Sequence, residues 1–244
     1  DYRKLDYLLN HVNIHYLFNA VDIEAVDNIR HSWDLALFTP EYREEEALPF
    51  AQRFGSNFEH DYHLFSGSEA RVADFLKITN SILHYSGHGK GSNVQREAAQ
   101  LTFNDGAIGI SDIYSGDISA AMVVLNACSS GKGFFNEGDG IDGFPRAFYM
   151  KGAQQVLSSF WELDDRASHE VMNSFYSHLS KGKGSNHALR EGQADYISSA
   201  KNSNQAAPYY WAGHQLYGRS QQFLNQIKQE NKKRSYLSPV MVLI

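Results

Sequence analysis

Ala121-Met-Val-Val-Leu-Asn-Ala-Cys-Ser-Ser-Gly131 is a short apolar run that breaks abruptly into small and polar residues. Its length and its valines read as a buried strand entering a tight loop. Cys128, the only cysteine among 244 residues, falls just past the strand's end. Upstream, Ser81-Ile-Leu-His-Tyr-Ser-Gly-His-Gly89 repeats the plan and ends in His88 between two glycines. A thiol and an imidazole on neighbouring strand ends are the minimum kit of a cysteine nucleophile. The competing reading is that a lone cysteine is a small buried hydrophobe. A cysteine of that kind belongs inside the apolar run, at the level of Val123 or Leu125, rather than after Asn126 and before Ser-Ser-Gly. Glycines at 87 and 89 strip side chains from around His88, which suits close approach by a substrate.

Outward from these two runs, strands and helices alternate. Trp33 to Phe38 reads as the first core strand, Pro40 to Phe54 as a helix carrying the acidic run 44–46, and Phe58 to Phe65 as the next strand. Ser68 is placed to cap a helix running to about Lys77, with Glu69 favourable to its dipole. Residues 81–86, 121–126 and 155–160 supply three further apolar strands. Helices are expected at roughly 142–151, 167–180 and 187–201. Continuous apolar strands alternating with helices imply an α/β three-layer sandwich, with a mainly parallel central sheet covered on both faces. Reactive groups of such sheets collect at the carboxyl ends of the strands, where His88 and Cys128 both fall.

Composition bounds the class. A chain that is 42% hydrophobic can bury one sizeable core, or one core with a small appendage. A net charge of −6 argues against a nucleic-acid surface, which carries a basic excess. One cysteine excludes an internal disulfide framework and fits a reducing cytoplasm. The chain starts at Asp1 without methionine, so it reads as a piece of a longer protein. Gly-Lys-Gly-Ser-Asn occurs at 89–93 and 182–186, but neither copy has the spacing of a phosphate-binding loop.

His-Tyr-Ser-Gly-His-Gly followed by Leu-Asn-Ala-Cys-Ser-Ser-Gly resembles the CHAT branch of the caspase-like cysteine peptidases, relatives of separase. The resemblance continues through Gly143-Phe-Pro-Arg-Ala-Phe-Tyr-Met-Lys-Gly-Ala153, Val156 to Asp165, Phe175 to Leu179, Ala188 to Gly192 and Pro208 to Gly213. It implies a caspase-like fold over about residues 30–218 and a cysteine endopeptidase acting on specific proteins. Cys128 would be the nucleophile and His88 the group that protonates the leaving amine. The N–H groups of Gly89 and Cys128 would hold the oxyanion, and glycine at 89 leaves its N–H unobstructed. A nearby imidazolium, or a helical turn opening at Ser129-Ser130, would lower the thiol pKa. Trp161-Glu-Leu-Asp-Asp165 resembles the separase segment whose acid receives an arginine, which makes Trp161, Asp164 and Asp165 candidate substrate-binding residues and Asp165 the favoured acid. Asp165 reads equally as a helix N-cap, with Asp164 a competitor for either role. The resemblance also implies preceding tetratricopeptide repeats or a regulatory protein as partners. A catalytically silent module binding a partner through the same groove is the alternative.

No cofactor or metal is expected. His84 and His88 would stack on a helix but not on a strand entering a glycine loop, so they do not form a zinc site with Cys128. His84 is expected to pack or hydrogen-bond beneath the site. The loop 131–140 carries four glycines and is expected to gain order with a substrate or partner. Three regions result: a connector over 1–29, with a strand near His15–Ala20 and a helix end near Leu5–His11, the peptidase domain over 30–218, and a C-terminal helix and tail over 219–244. In that tail a basic cluster at 228–234 precedes an apolar run, the arrangement on the cytoplasmic flank of a membrane span. The run is shorter than the ~20 residues a span needs, so a final strand or docked segment is the other reading. The expected location is cytoplasmic, with membrane anchoring beyond Ile244 left open.

Overall fold

A computed structural model of the chain describes residues 1–18, 30–43, 47–53, 61–136 and 140–224. Its strands are β1 (Arg30–Ser32), β2 (Leu35–Thr39), β3 (His63–Ser66), β4 (Ile82–Ser86), β5 (Gly89–Lys90), β6 (Gln100–Phe103), β7 (Gly106–Ile108), β8 (Met122–Asn126), β9 (Gly133–Asn136), β10 (Gly140–Gly143), β11 (Gln155–Ser159), β12 (His214–Gly218) and β13 (Gln222–Leu224). Its helices are α1 (Pro49–Gln52), α2 (Val72–Phe75), α3 (Ile110–Ser115), α4 (Phe144–Met150), α5 (Asp165–Ser180), α6 (Ser185–Ser199) and α7 (Pro208–Trp211). Six strands form the central sheet in the order β12-β11-β8-β4-β2-β3, parallel except for the antiparallel edge strand β12.

The continuous apolar runs are buried on both faces because alternate side chains enter two different cores. Leu35, Leu37, Ile82, Met122, Val124 and Leu157 meet Val171, Met172, Phe175 and Tyr176 of α5 and Leu189 of α6. Ala36, Phe38, Leu83, Tyr85, Val123, Leu125 and Val156 meet Phe75, Ile113, Phe144 and Phe148 on the opposite face. This is the three-layer α/β sandwich expected from the strand pattern. With Leu83 and Leu125 fully buried, truncating either to alanine costs about 2–5 kcal/mol.

Several elements differ from expectation. Residues 40–43 are not helical: Glu41 donates its N–H to Asn104 Oδ1 at 3.1 Å, and its carbonyl accepts from Asn104 Nδ2 at 2.7 Å. The helix expected there is confined among described residues to α1, and the acidic run 44–46 lies outside them. Ser68 caps nothing: residues 67–69 form a 3₁₀ turn, and the N–H of Val72 at the start of α2 is satisfied by Asp105 Oδ1 at 3.1 Å. In the connector, Leu8–Asn10 is a 3₁₀ turn and Tyr16 makes a single bridge to Tyr217, while 19–29 lie outside the described residues. Residues 222–224 are a strand paired with β1 rather than a helix, and 225–244, with their basic and apolar runs, lie outside the described residues. Gly133–Asn136 and Gly140–Gly143 of the glycine-rich loop pair as an antiparallel hairpin. Among the described residues no helix is long and apolar enough to cross a membrane.

Candidate active site

β4 and β8 are adjacent, with Ser86 opposite Asn126. His88 and Cys128 each follow two residues later, so the register delivers both to the same edge of the sheet. The chain crosses between them closely: Gly87 N–H donates to the Asn126 carbonyl at 3.3 Å. A Cβ on Gly89 would stand 2.7 Å from Ala127 Cβ and 3.7 Å from the Cys128 carbonyl oxygen. Close approach of the neighbouring chain therefore calls for glycine at 89. His88 and Cys128 are both partly exposed.

The turn after Cys128 is fixed to the end of β11. Ser129 adopts φ 55°, the one non-glycine positive φ among the described residues, and its N–H donates to the Trp161 carbonyl at 3.1 Å. Gly131 N–H donates to the Ser159 carbonyl at 2.7 Å, Ser159 Oγ donates to the Ala127 carbonyl at 2.5 Å, and Ser130 Oγ accepts from Ser159 N–H at 3.1 Å. A non-glycine left-handed residue costs on the order of 1 kcal/mol, and this ladder of bonds holds it in place. Residues 128–131 form a turn and not a helix, so the expected help from a helix terminus is absent.

Burial pushes the Cys128 thiol above its ordinary pKa, and the nearby Glu162 and Asp165 carboxylates push the same way. The N–H groups of Leu163 and of Cys128 itself oppose them by facing the sulfur. The net direction is upward, opposite to the expected depression, because desolvation disfavours the thiolate more than two backbone dipoles favour it.

The carboxylates divide their work. Asp164 is the N-cap of α5, accepting from Ala167 N–H at 2.8 Å. Asp165 is the first residue of that helix, and its two oxygens accept from Phe50 N–H at 2.9 Å and Ala51 N–H at 3.1 Å, satisfying the start of α1. Glu162 is exposed. Trp161 is half-buried against Gly213 and donates its indole N–H to the Tyr209 carbonyl at 2.9 Å.

Beneath the strand ends lies a buried polar layer. Asn126 donates Nδ2 to Ser86 Oγ at 3.1 Å, and its Oδ1 accepts from Ser168 Oγ at 2.5 Å and lies 3.2 Å from His214 Nε2. His84 is fully buried, with Nδ1 at 2.9 Å from the Tyr176 hydroxyl. Burial lowers its pKa to about 3, with a smaller push from His214, whose own is lowered to about 4. Both rings are therefore neutral at pH 7. Among the described residues no group of three His, Cys, Asp or Glu side chains is placed to hold a metal ion.

Tyr42, Ser168, His214 and the peptide units of Trp161 and Leu163 escaped the sequence reading. They reach the site across 30 to 90 positions of chain, a separation that carries no local pattern. Asn126 alone had a signal, as a polar residue closing an apolar strand.

A mainly parallel sheet with these strand ends places the chain among caspase-like folds. It aligns with separase in the Saccharomyces cerevisiae separase–securin complex with a TM-score of 0.53 at 14% identity, over 80% of this chain and 13% of that one. It aligns with the Arg-specific cysteine proteinase gingipain R with a TM-score of 0.50 at 11% identity, over 76% of this chain and 46% of that one. The CHAT domain matches residues 3–219, and the chain belongs to that family. Tetratricopeptide repeat protein 28 is similar too, at 34% identity over 101 residues in Mus musculus and 39% over 80 residues in Homo sapiens. Those stretches are 41% and 33% of this chain, and span only 4% and 3% of the relatives' own lengths.

Proposed function

We propose that the chain is a cysteine endopeptidase built on a Cys128/His88 dyad. The observation that carries this reading is the β4–β8 register, which sets Gly87-His88-Gly89 beside Ala127-Cys128 at one sheet edge. The Cys128 thiol passes its proton to His88, the thiolate bonds to the scissile carbonyl carbon, and the resulting oxyanion takes N–H donors from Gly89 and Cys128. Collapse breaks the C–N bond as His88 gives its proton to the departing amine. Water then attacks the thioester carbonyl as His88 takes its proton, the C–S bond breaks to release the new carboxyl terminus, and His88 returns the proton to the departing thiolate to restore the thiol.

The substrate is a specific protein cut after a basic residue. Glu162 and Asp165 lie close enough to Cys128 for their charge to raise its pKa, so a cationic side chain set against them is attracted and offsets that rise. Asp165 remains the favoured acid: a carboxylate has about four acceptor sites, and two are used by Phe50 and Ala51. The Arg-specific name of gingipain R supports this preference, and the securin-bound state of separase supports control by a partner protein. Adjoining tetratricopeptide repeats and a cytoplasmic location complete the reading. The second reading, a silent module that binds a partner in the same groove, is favoured by the raised Cys128 thiol, which leaves little thiolate at rest.

Hydrolysis of matched peptides with Arg or Leu at the scissile position separates these readings. Activity on the Arg peptide that is lost in Cys128→Ala and His88→Ala is expected. Asp165→Ala should lower kcat/KM for Arg by about 10²-fold, the scale of a lost charged contact, while sparing Leu. Equal losses on both peptides would assign Asp165 to holding α1, and no hydrolysis by the wild type would favour the silent module.

A further inference from the structure

Tyr42 stands on the loop after β2, outside every motif quoted above. Its hydroxyl accepts the His88 backbone N–H at 2.9 Å and donates to the Thr102 carbonyl at 2.9 Å. Its ring meets the His88 imidazole edge to face, with centroids 4.3 Å apart and planes at 62°. The other side of His88 is held as well. Its carbonyl accepts from Thr102 N–H at 3.0 Å and lies 2.8 Å from the Tyr85 hydroxyl. The two phenols sit 3.1 Å apart, and a Cβ on Gly87 would come 2.4 Å from the Tyr42 oxygen. Glycine before His88 is thus a condition for Tyr42 to reach this position.

A general acid works only if its ring is held at the reacting atoms, and an ångström of misplacement costs about 10²-fold in rate. His88 follows a glycine and precedes another, so its own chain restrains it little. We infer that Tyr42 is the positioning residue of the dyad: its hydroxyl fixes the His88 peptide and its ring fixes the orientation of the imidazole. This rests on reading His88 as the acid–base partner of Cys128. Tyr85 serves the same end from the other side, but it is fully buried and also built into the core, so its substitution would confuse position with folding.

The test compares wild type, Tyr42→Phe and Tyr42→Leu of the same chain, on a peptide with Arg at the scissile position. Melting temperatures are measured alongside, and the His88 imidazole ¹H–¹³C signals are recorded in a Cys128→Ala background. Tyr42→Phe keeps the ring and loses the hydroxyl, so kcat falls about 3- to 10-fold, the scale of one hydrogen bond. Tyr42→Leu loses both, so kcat falls about 10²-fold and the imidazole signals move as the ring current disappears. KM stays within about twofold in each, because the residue acts on the acid and not on ground-state binding. A wild-type kcat in Tyr42→Phe overturns the hydroxyl's part, whether or not Tyr42→Leu folds. Unmoved imidazole signals in a folded Tyr42→Leu overturn the ring's part, as does a loss confined to KM. The two failures look different: an inert wild type removes the peptidase reading and Tyr42's part with it, whereas an active wild type matched by both variants removes the Tyr42 assignment alone.

Discussion

Cys128 is a thiol whose surroundings oppose its ionisation. Burial and two carboxylates raise its pKa, and two backbone N–H groups only partly offset them. Without substrate, alkylation by iodoacetamide should therefore climb about tenfold per pH unit from pH 7 to pH 9, following the thiolate fraction. A rate that levels off below pH 8 would mean the thiolate is already formed at rest. Sequence could announce that Cys128 lies at a strand end; it could not announce the sign of this shift. The sign is set by burial of the sulfur, reinforced by Glu162 and Asp165 and opposed by the N–H of Leu163, residues that reach the sulfur only after the chain has passed through β9, β10, α4 and β11.

At the scale of elements, the turn between β8 and β9 carries Cys128, and its tolerance for change is small. A Cβ on Gly91 would stand 2.0 Å from the Ser129 carbonyl oxygen and 2.8 Å from Lys132 Cβ. Gly91→Ala must move the turn backbone, so it should reduce hydrolysis at least about tenfold and lower the melting temperature. Activity equal to wild type would show that the turn can shift without cost to the dyad. The four inner strands were legible because both their faces are buried, which makes them continuous in sequence. The edge strand β12 was not, since His214–Gly218 alternates buried and half-buried residues after a glycine. Residues 40–43 misled because Asn104 captures the Glu41 peptide from across the fold, and Ser68 misled because Asp105 had already satisfied Val72. Of the candidate site, the placement of His88 and Cys128 just past adjacent strand ends, with glycines flanking His88, was readable. Tyr42 and the Asn126 layer were not, because each acts through tertiary contacts with no periodic trace.

For the whole molecule, two buried neutral histidines tie stability to pH. His84 and His214 have folded pKa values lowered to about 3 and about 4, from an ordinary value near 6.5. Below pH 6.5 the unfolded chain binds protons that the folded chain refuses, so stability present above that pH is lost as pH falls toward 4 and 3. Each histidine contributes about 1.4 kcal/mol per pH unit in that window, giving a loss on the order of a few kcal/mol between pH 7 and pH 5. Urea unfolding at both pH values measures it, and His214→Gln should flatten the slope. A midpoint unchanged from pH 7 to pH 5 would contradict the neutral, buried assignment. The same layer joins β4, β8, α5 and β12 directly under the strand ends, so loss of stability and loss of activity should set in together on acidification.

The central claim is that His88 and Cys128 form a working dyad. An arginyl acyloxymethyl ketone, which reacts with a thiol only when an enzyme activates it, tests this most directly, with the adduct located by peptide mass spectrometry. The account predicts one adduct per chain, on Cys128, that disappears in His88→Ala while iodoacetamide still alkylates that variant. Folded wild-type protein whose Cys128 takes iodoacetamide but never the ketone, or whose labelling survives His88→Ala, would contradict it.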